Sequence, residues 1–151
     1  MTGHRPRRKA SQRSPMSRSE VMSRIRSENT APEMRVRRAL WAAGLRYRLH
    51  DKRLPGKPDM VFVSRRIVVF VHGCFWHGHE GCPRHRLPKS RVAWWTAKIR
   101  RNIERDAEVR AALESAGWTV LVLWECESEI PDMVHALART VASSPPSAKK
   151  R

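Results

Sequence analysis

Three short apolar runs limit the architectures open to this chain: "DMVFV" at 59–63, "RIVVFV" at 66–71 and "WTVLVLWE" at 118–125. Each is rich in β-branched residues and too short to bury itself as a helix, so each predicts a strand. "SRR" between the first two is short enough for a hairpin turn. The third is almost entirely apolar, which predicts a strand covered on both faces of a mixed sheet. "LRYRLH" at 45–50 adds a short alternating segment. Helical patterns surround these runs. "TAPEMRVRRALWAAGL" has Thr30 to cap it, Pro32 in its first turn, Met34, Leu40 and Trp41 at helical spacing, and Gly44 to end it. "RVAWWTAKIRRNIERDAEVRAALESAG" predicts a long helix closed by Gly117, and "EIPDMVHALARTVA" predicts the last one. The order is helix, three strands, a loop, helix, strand, helix: an α/β domain with a central mixed sheet flanked by helices.

The domain is bounded by two segments with little apolar content. Residues 1–18 are rich in Arg, Ser and Pro, as is "SSPPSAKKR" at 143–151, and both are expected to be disordered basic tails around a folded domain at 19–142. The chain of 151 residues carries 31 Lys and Arg against 14 Asp and Glu, a formal net charge of +17, which calls for a polyanionic partner. Nucleic acid fits this best. No apolar run approaches the roughly 18 residues of a membrane span, and the N-terminus lacks the apolar segment of a secretory signal, so a cytoplasmic protein with no membrane association is expected. Three cysteines cannot all pair within one chain, which agrees with a reducing compartment.

Two stretches carry chemistry. In "LPGKPDMVFV", Pro55-Gly56 turns the chain and Asp59 stands at the start of a strand, where its carboxylate can hold a hard cation such as magnesium. An isolated Pro-Asp is also an ordinary turn. In "VHGCFWHGHEGCPRH", Cys74, His79 and Cys82 are close enough to share one ion, and Gly78 and Gly81 let the loop fold around it. Cys126, ending the third strand, supplies a fourth ligand, and four such donors with no open position describe a structural zinc site. His72 and His77 are then free to carry protons near neutral pH. Phe75-Trp76 lies in a loop with no evident core to enter, and Trp94-Trp95 opens the long helix, where at least one ring could be core; rings that are exposed would wedge between base pairs or stack on an unpaired base. Arg84, His85, Arg86, Lys89 and Arg91 between the two aromatic pairs supply phosphate contacts.

"LPGKPD", "VHGCFWHGHEGC", "KIRRNIERD" and "SAGWTVLVLWEC", in this order and spacing, resemble the very short patch repair (Vsr) endonucleases over about Arg18 to Glu127. The resemblance implies a bacterial, nucleoid-associated, monomeric enzyme with a restriction-endonuclease-like fold. Such an enzyme recognises T:G mismatches left by deamination of 5-methylcytosine and nicks 5′ of the mismatched thymine, with mismatch-repair proteins as accessory partners. It implies a catalytic Mg²⁺ held by Asp59 and the backbone carbonyl of Val71, with His72, His77 and Glu33 in the active site. It also implies Zn²⁺ on Cys74, His79, Cys82 and Cys126, and intercalation by Phe75, Trp76, Trp95 and Met22. Two departures matter: Val71 stands where the family often has Thr, and the histidine loop differs in length, so choosing His79 over His77 for zinc rests on alignment. Glu33 is also the third residue of a Thr30 capping box, a role that competes for its carboxylate. A non-catalytic zinc-braced DNA-binding protein and a restriction-type nuclease of the same fold remain the alternatives.

Overall fold

The computed structural model describes residues 14–147, and the structural statements below concern those residues. Four strands form one sheet in the order β1 (Arg48–Leu49), β2 (Met60–Phe62), β3 (Ile67–His72), β4 (Thr119–Trp124). β2 and β3 pair antiparallel through a tight 3-10 turn, Val63–Arg65, closed by Arg66 in the left-handed region (φ 55°). β3 and β4 pair parallel, from Ile67 opposite Thr119 to His72 opposite Trp124. A parallel partner needs a crossover, and the helix Val92–Ser115 provides it.

Alternation along β3 divides the core. Ile67, Val69 and Val71 join Met60, Phe62 and Leu123 against the helices Ala31–Ala42 and Pro131–Ser143. Val68 faces the other way, with Val61, Val120 and Leu113 of the crossover helix. His72, in phase with Val68 and Phe70, therefore emerges on the crossover-helix side. The helices are α1 (Arg18–Ser23), α2 (Ala31–Ala42), α3 (Val92–Ser115) and α4 (Pro131–Ser143).

The sequence pattern missed α1. Ser17 caps it and Glu20 reaches back to the Ser17 amide, a complete capping box in a segment expected to be tail up to residue 18. In α2 the inward face is Glu33, Val36, Arg37 and Leu40, whereas Trp41 is half exposed with the Arg46 guanidinium stacked 3.6 Å from its ring centroid. The Trp41 ring lies along the surface, where a cation can use its face. β4 is also less covered than expected. Val120 and Leu123 are buried but Leu121 and Val122 only partly so, because β4 ends the sheet and α3 leaves a cavity of about 590 Å³ beside it. At the C-terminus, Ser143 belongs to α4, and the Ser147 amide donates to the Ser64 carbonyl (2.6 Å). The remaining tail residues, 1–13 and 148–151, lie outside those described.

Leu40 is fully buried between the sheet and α4. Leu40→Ala is expected to cost about 2–5 kcal/mol in chemical denaturation; an unchanged midpoint would show that α2 does not hold this core together.

Candidate active site

Asp59 enters β2 behind the fully buried Pro58, and its Oδ2 accepts the Val71 amide at 2.7 Å. This bond ties the β2 start to the end of β3 and brings Val71 beside the carboxylate. Burial pushes the Asp59 carboxyl up to about 6, opposed by the Val71 hydrogen bond and reinforced by the Glu33 charge. Glu33, from the first turn of α2, and His50, just after β1, complete a group whose donor atoms lie within 4.8 Å of one another. The Thr30 hydroxyl accepts the Glu33 amide, but the Glu33 carboxylate reaches to the Asn29 amide (3.0 Å) instead of closing the box on Thr30. That leaves Glu33 directed at the interior, 2 % exposed. His50 was not singled out by the sequence. Only the strained turn it occupies (φ 44°) brings its ring to Asp59 and Glu33.

On the α3 side, His72 and His77 stack face to face, ring centroids 3.9 Å apart and 4° from parallel. Burial, and then the neighbouring His77, pull the His72 imidazole down to about 4, so it is neutral at physiological pH. His77 Nδ1 lies 2.5 Å from Asp106 Oδ2 of α3. A carboxylate against Nδ1 holds the proton there and leaves the Nε2 lone pair free. Asp106 was also missed. No motif in the sequence marks it; one turn earlier on α3, buried Asn102 donates to the Trp76 carbonyl at 2.8 Å.

The three cysteines are free thiols, and Cys74, His79, Cys82 and Cys126 form a second group able to hold a metal ion. His79, not His77, turns to the sulfurs: its Nδ1 is 3.5 Å from Cys126 Sγ, and its ring stacks on Trp124 at 4.2 Å. Gly78 permits this. It has φ 64°, and a Cβ there would stand 2.7 Å from Ile103 Cδ1. Burial pushes the Cys74 thiol up to about 12, whereas the Arg84 amide draws Cys82 down. Three thiols crowded with one imidazole, unable to ionise together unaided, are a donor set suited to a soft or borderline cation.

The aromatic residues differ from the expected exposed wedge. Phe75, Trp95 and Met22 are buried in one cluster with Ile99, and the Phe75 and Trp95 centroids are 5.2 Å apart. α1 supplies the cover: Met22 enters the cluster and Ser19 Oγ accepts the Trp95 indole N–H at 3.0 Å. Trp76 is half buried, and the exposed ring is Trp94, stacked by Arg91. Phe75, Trp95 and Met22 thus do find a core, and reaching DNA would require α1 to move. Of the basic residues, Arg86, Lys89 and Arg91 are exposed, but Arg84 is held by both carboxylate oxygens of Glu129 (3.1 and 2.6 Å) and is no free cation. A groove of about 1270 Å³ runs past Asp59, Glu33, His72 and His77 to Met22 and Phe75.

A family model described as "DNA mismatch endonuclease Vsr" matches residues 11–84. The Escherichia coli DNA mismatch endonuclease Vsr is 43% identical over 109 residues, spanning 72% of this chain and 69% of that protein. The chain belongs to the Vsr family of DNA mismatch endonucleases. Two further relatives are type II nicking enzymes. V.XorIIP of Xanthomonas oryzae pv. oryzae is 55% identical over 85% of this chain and 93% of its own length. V.NmeAIP of Neisseria meningitidis is 49% identical over 73% of this chain and 78% of its own length. For a Vsr endonuclease, the groove joins a carboxylate cluster able to hold a cation, a histidine pair and an aromatic cluster in one concave surface. No helix of the described residues is long and apolar enough to cross a membrane.

Proposed function

We propose that this Vsr family member nicks duplex DNA 5′ of the thymine in T:G mismatches, with a restriction-endonuclease-like fold, a divalent cation (magnesium) at Asp59 and a structural zinc. The observation that carries the hydrolytic reading is the Asp106–His77 pair at 2.5 Å beside the Asp59 cluster. Asp59 and the Val71 carbonyl would hold the magnesium, whose chemistry is to neutralise charge building on the scissile phosphate. His77 removes the proton of the attacking water at Nε2, and Asp106 holds the imidazole in that tautomer and balances the charge it gains. His72, neutral and stacked on His77, restricts the ring to one plane. Cys74, His79, Cys82 and Cys126 would hold the zinc and brace the loop from which His77 projects. Trp76, with Phe75, Trp95 and Met22 once α1 is displaced, would separate base pairs at a cost of roughly a few kcal/mol per step. That cost is least where pairing is already poor, which makes it a source of mismatch selectivity.

The test is nicking of labelled duplexes carrying T:G, C:G or T:A at one position, in magnesium. Cutting of T:G alone is expected; binding without cutting would remove the catalytic reading, and equal cutting of paired DNA would remove the repair reading. Within this scheme His77→Ala and Asp106→Asn are each expected to lower kcat by about 10²–10⁴. Because the two act as a unit, the double variant should fall little further. Multiplied losses in single-turnover kinetics would show that Asp106 works elsewhere.

A further inference from the structure

The Glu33, His50 and Asp59 group has the look of a three-donor cation site, but Arg37 changes what His50 can do. Arg37 is 7 % exposed and lies under α2 against this group. Its Nη1 donates to Asn29 Oδ1 (2.8 Å) and lies 3.2 Å from Met34 Sδ. Its Nη2 donates to Glu33 Oε2 (2.8 Å) and is 3.1 Å from His50 Nε2. His50 Nε2 also lies 3.3 Å from Glu33 Oε2, so it either accepts from the Arg37 guanidinium, which carries donors and no acceptor, or donates to the carboxylate. In either tautomer Nε2 is taken up by Arg37 and Glu33 rather than offered to a metal. The same guanidinium compensates the charge of Glu33, which is buried more deeply still.

We propose that Arg37 and His50 are positioning residues for the divalent-cation site: together they back the Glu33 carboxylate and fix its aim at Asp59, and His50 is not itself a ligand. Three features of the chain converge on this arrangement. His50 adopts a left-handed backbone (φ 44°) directly after β1, and its amide meets the Asp59 carbonyl at 3.4 Å. Asn29, also left-handed (φ 54°), donates its amide to Glu33 Oε2 while its side chain accepts from Arg37. Tyr47 donates its hydroxyl to the Arg37 carbonyl at 2.8 Å, holding the helix at that point. Strained backbone at two places, both ending on one guanidinium, is the pattern of a site whose geometry is held by its surroundings.

The inference rests on the nuclease reading, and direct Mn²⁺ binding to the full chain tests it independently of turnover. Titration by electron paramagnetic resonance, with Asp59→Asn as reference, would compare His50→Gln, His50→Ala, Arg37→Lys and Arg37→Met. Gln at 50 supplies an oxygen that accepts from Arg37, so His50→Gln should bind Mn²⁺ within about twofold of wild type, whereas His50→Ala should weaken it about tenfold. Arg37→Lys, which keeps one donor toward Glu33, should lie between wild type and Arg37→Met. If Arg37→Met does not fold, the two His50 variants carry the comparison. Nitrogen couplings to Mn²⁺ in wild type that vanish in His50→Gln would overturn the proposal, since His50 would then be a ligand. So would Mn²⁺ affinity unchanged in His50→Ala with only its melting temperature lowered, the result of a purely structural role. A wild type that binds Mn²⁺ through Asp59 yet never nicks DNA would sink the nuclease reading and leave this one standing.

Discussion

Replacing Asp59 by Asn is expected to lower nicking of a T:G duplex by about three orders of magnitude or more, roughly 4 kcal/mol of transition-state stabilisation, while duplex binding persists. The amide keeps the volume and an oxygen able to accept the Val71 N–H, the bond that ties β2 to β3 at 2.7 Å. It removes the charge that would attract a divalent cation. The substitution therefore separates chemistry from folding better than Ala would, because Ala also abandons the Val71 amide in a buried place. Gel-based nicking at saturating enzyme, with binding measured by anisotropy, checks both halves. Retained cutting would move the cation away from Asp59.

The second large effect is expected at the thiol cluster. Structural zinc contributes about 10–16 kcal/mol of apparent binding free energy in zinc-finger peptides that have little else to fold around, and a domain with a hydrophobic core of its own depends on it for less. Cys126 joins β4 to the loop that carries His77 and His79, so Cys126→Ala severs the tie between the sheet and the active-site loop. The expected outcome is loss of bound zinc by elemental analysis, with a melting temperature lowered by ten degrees or more, on the order of 2–4 kcal/mol for a domain this size. Chelator treatment of wild type should reproduce it. Full zinc occupancy in Cys126→Ala would remove that residue from the ligand set.

Elements with a clear period were legible in the sequence. β2, β3 and their tight turn follow from β-branched runs three residues apart, and α3 follows from its length and its closing glycine. α1 was not, because its Arg and Ser content resembles a tail, although Ser17 and Glu20 spelled a capping box. That omission propagated: without α1 there was nothing to cover Phe75, and no way to tell which of Trp94 and Trp95 enters a core. Asp59, His72, Cys74 and Cys82 could be singled out because each stands in a short motif, and Cys126 because it ends an apolar strand run. Asp106 and His50 were not, since one is an acid on a helix full of charges and the other depends on a single left-handed residue. What pairs with them is decided by how α3 and β1 pack, which spacing along the chain does not encode.

Gly78 lies between two histidines with different neighbours, and its left-handed turn sends His77 toward Asp106 and His79 toward the sulfurs. The two rings are only two positions apart, so this single turn is what keeps the proposed proton carrier and the proposed ligand from sharing one direction. The turn is thus more tightly constrained than the residues beside it: exposed Glu80 can be replaced, but a side chain at Gly78 would place a Cβ 2.7 Å from Ile103 Cδ1 and disturb both histidines at once.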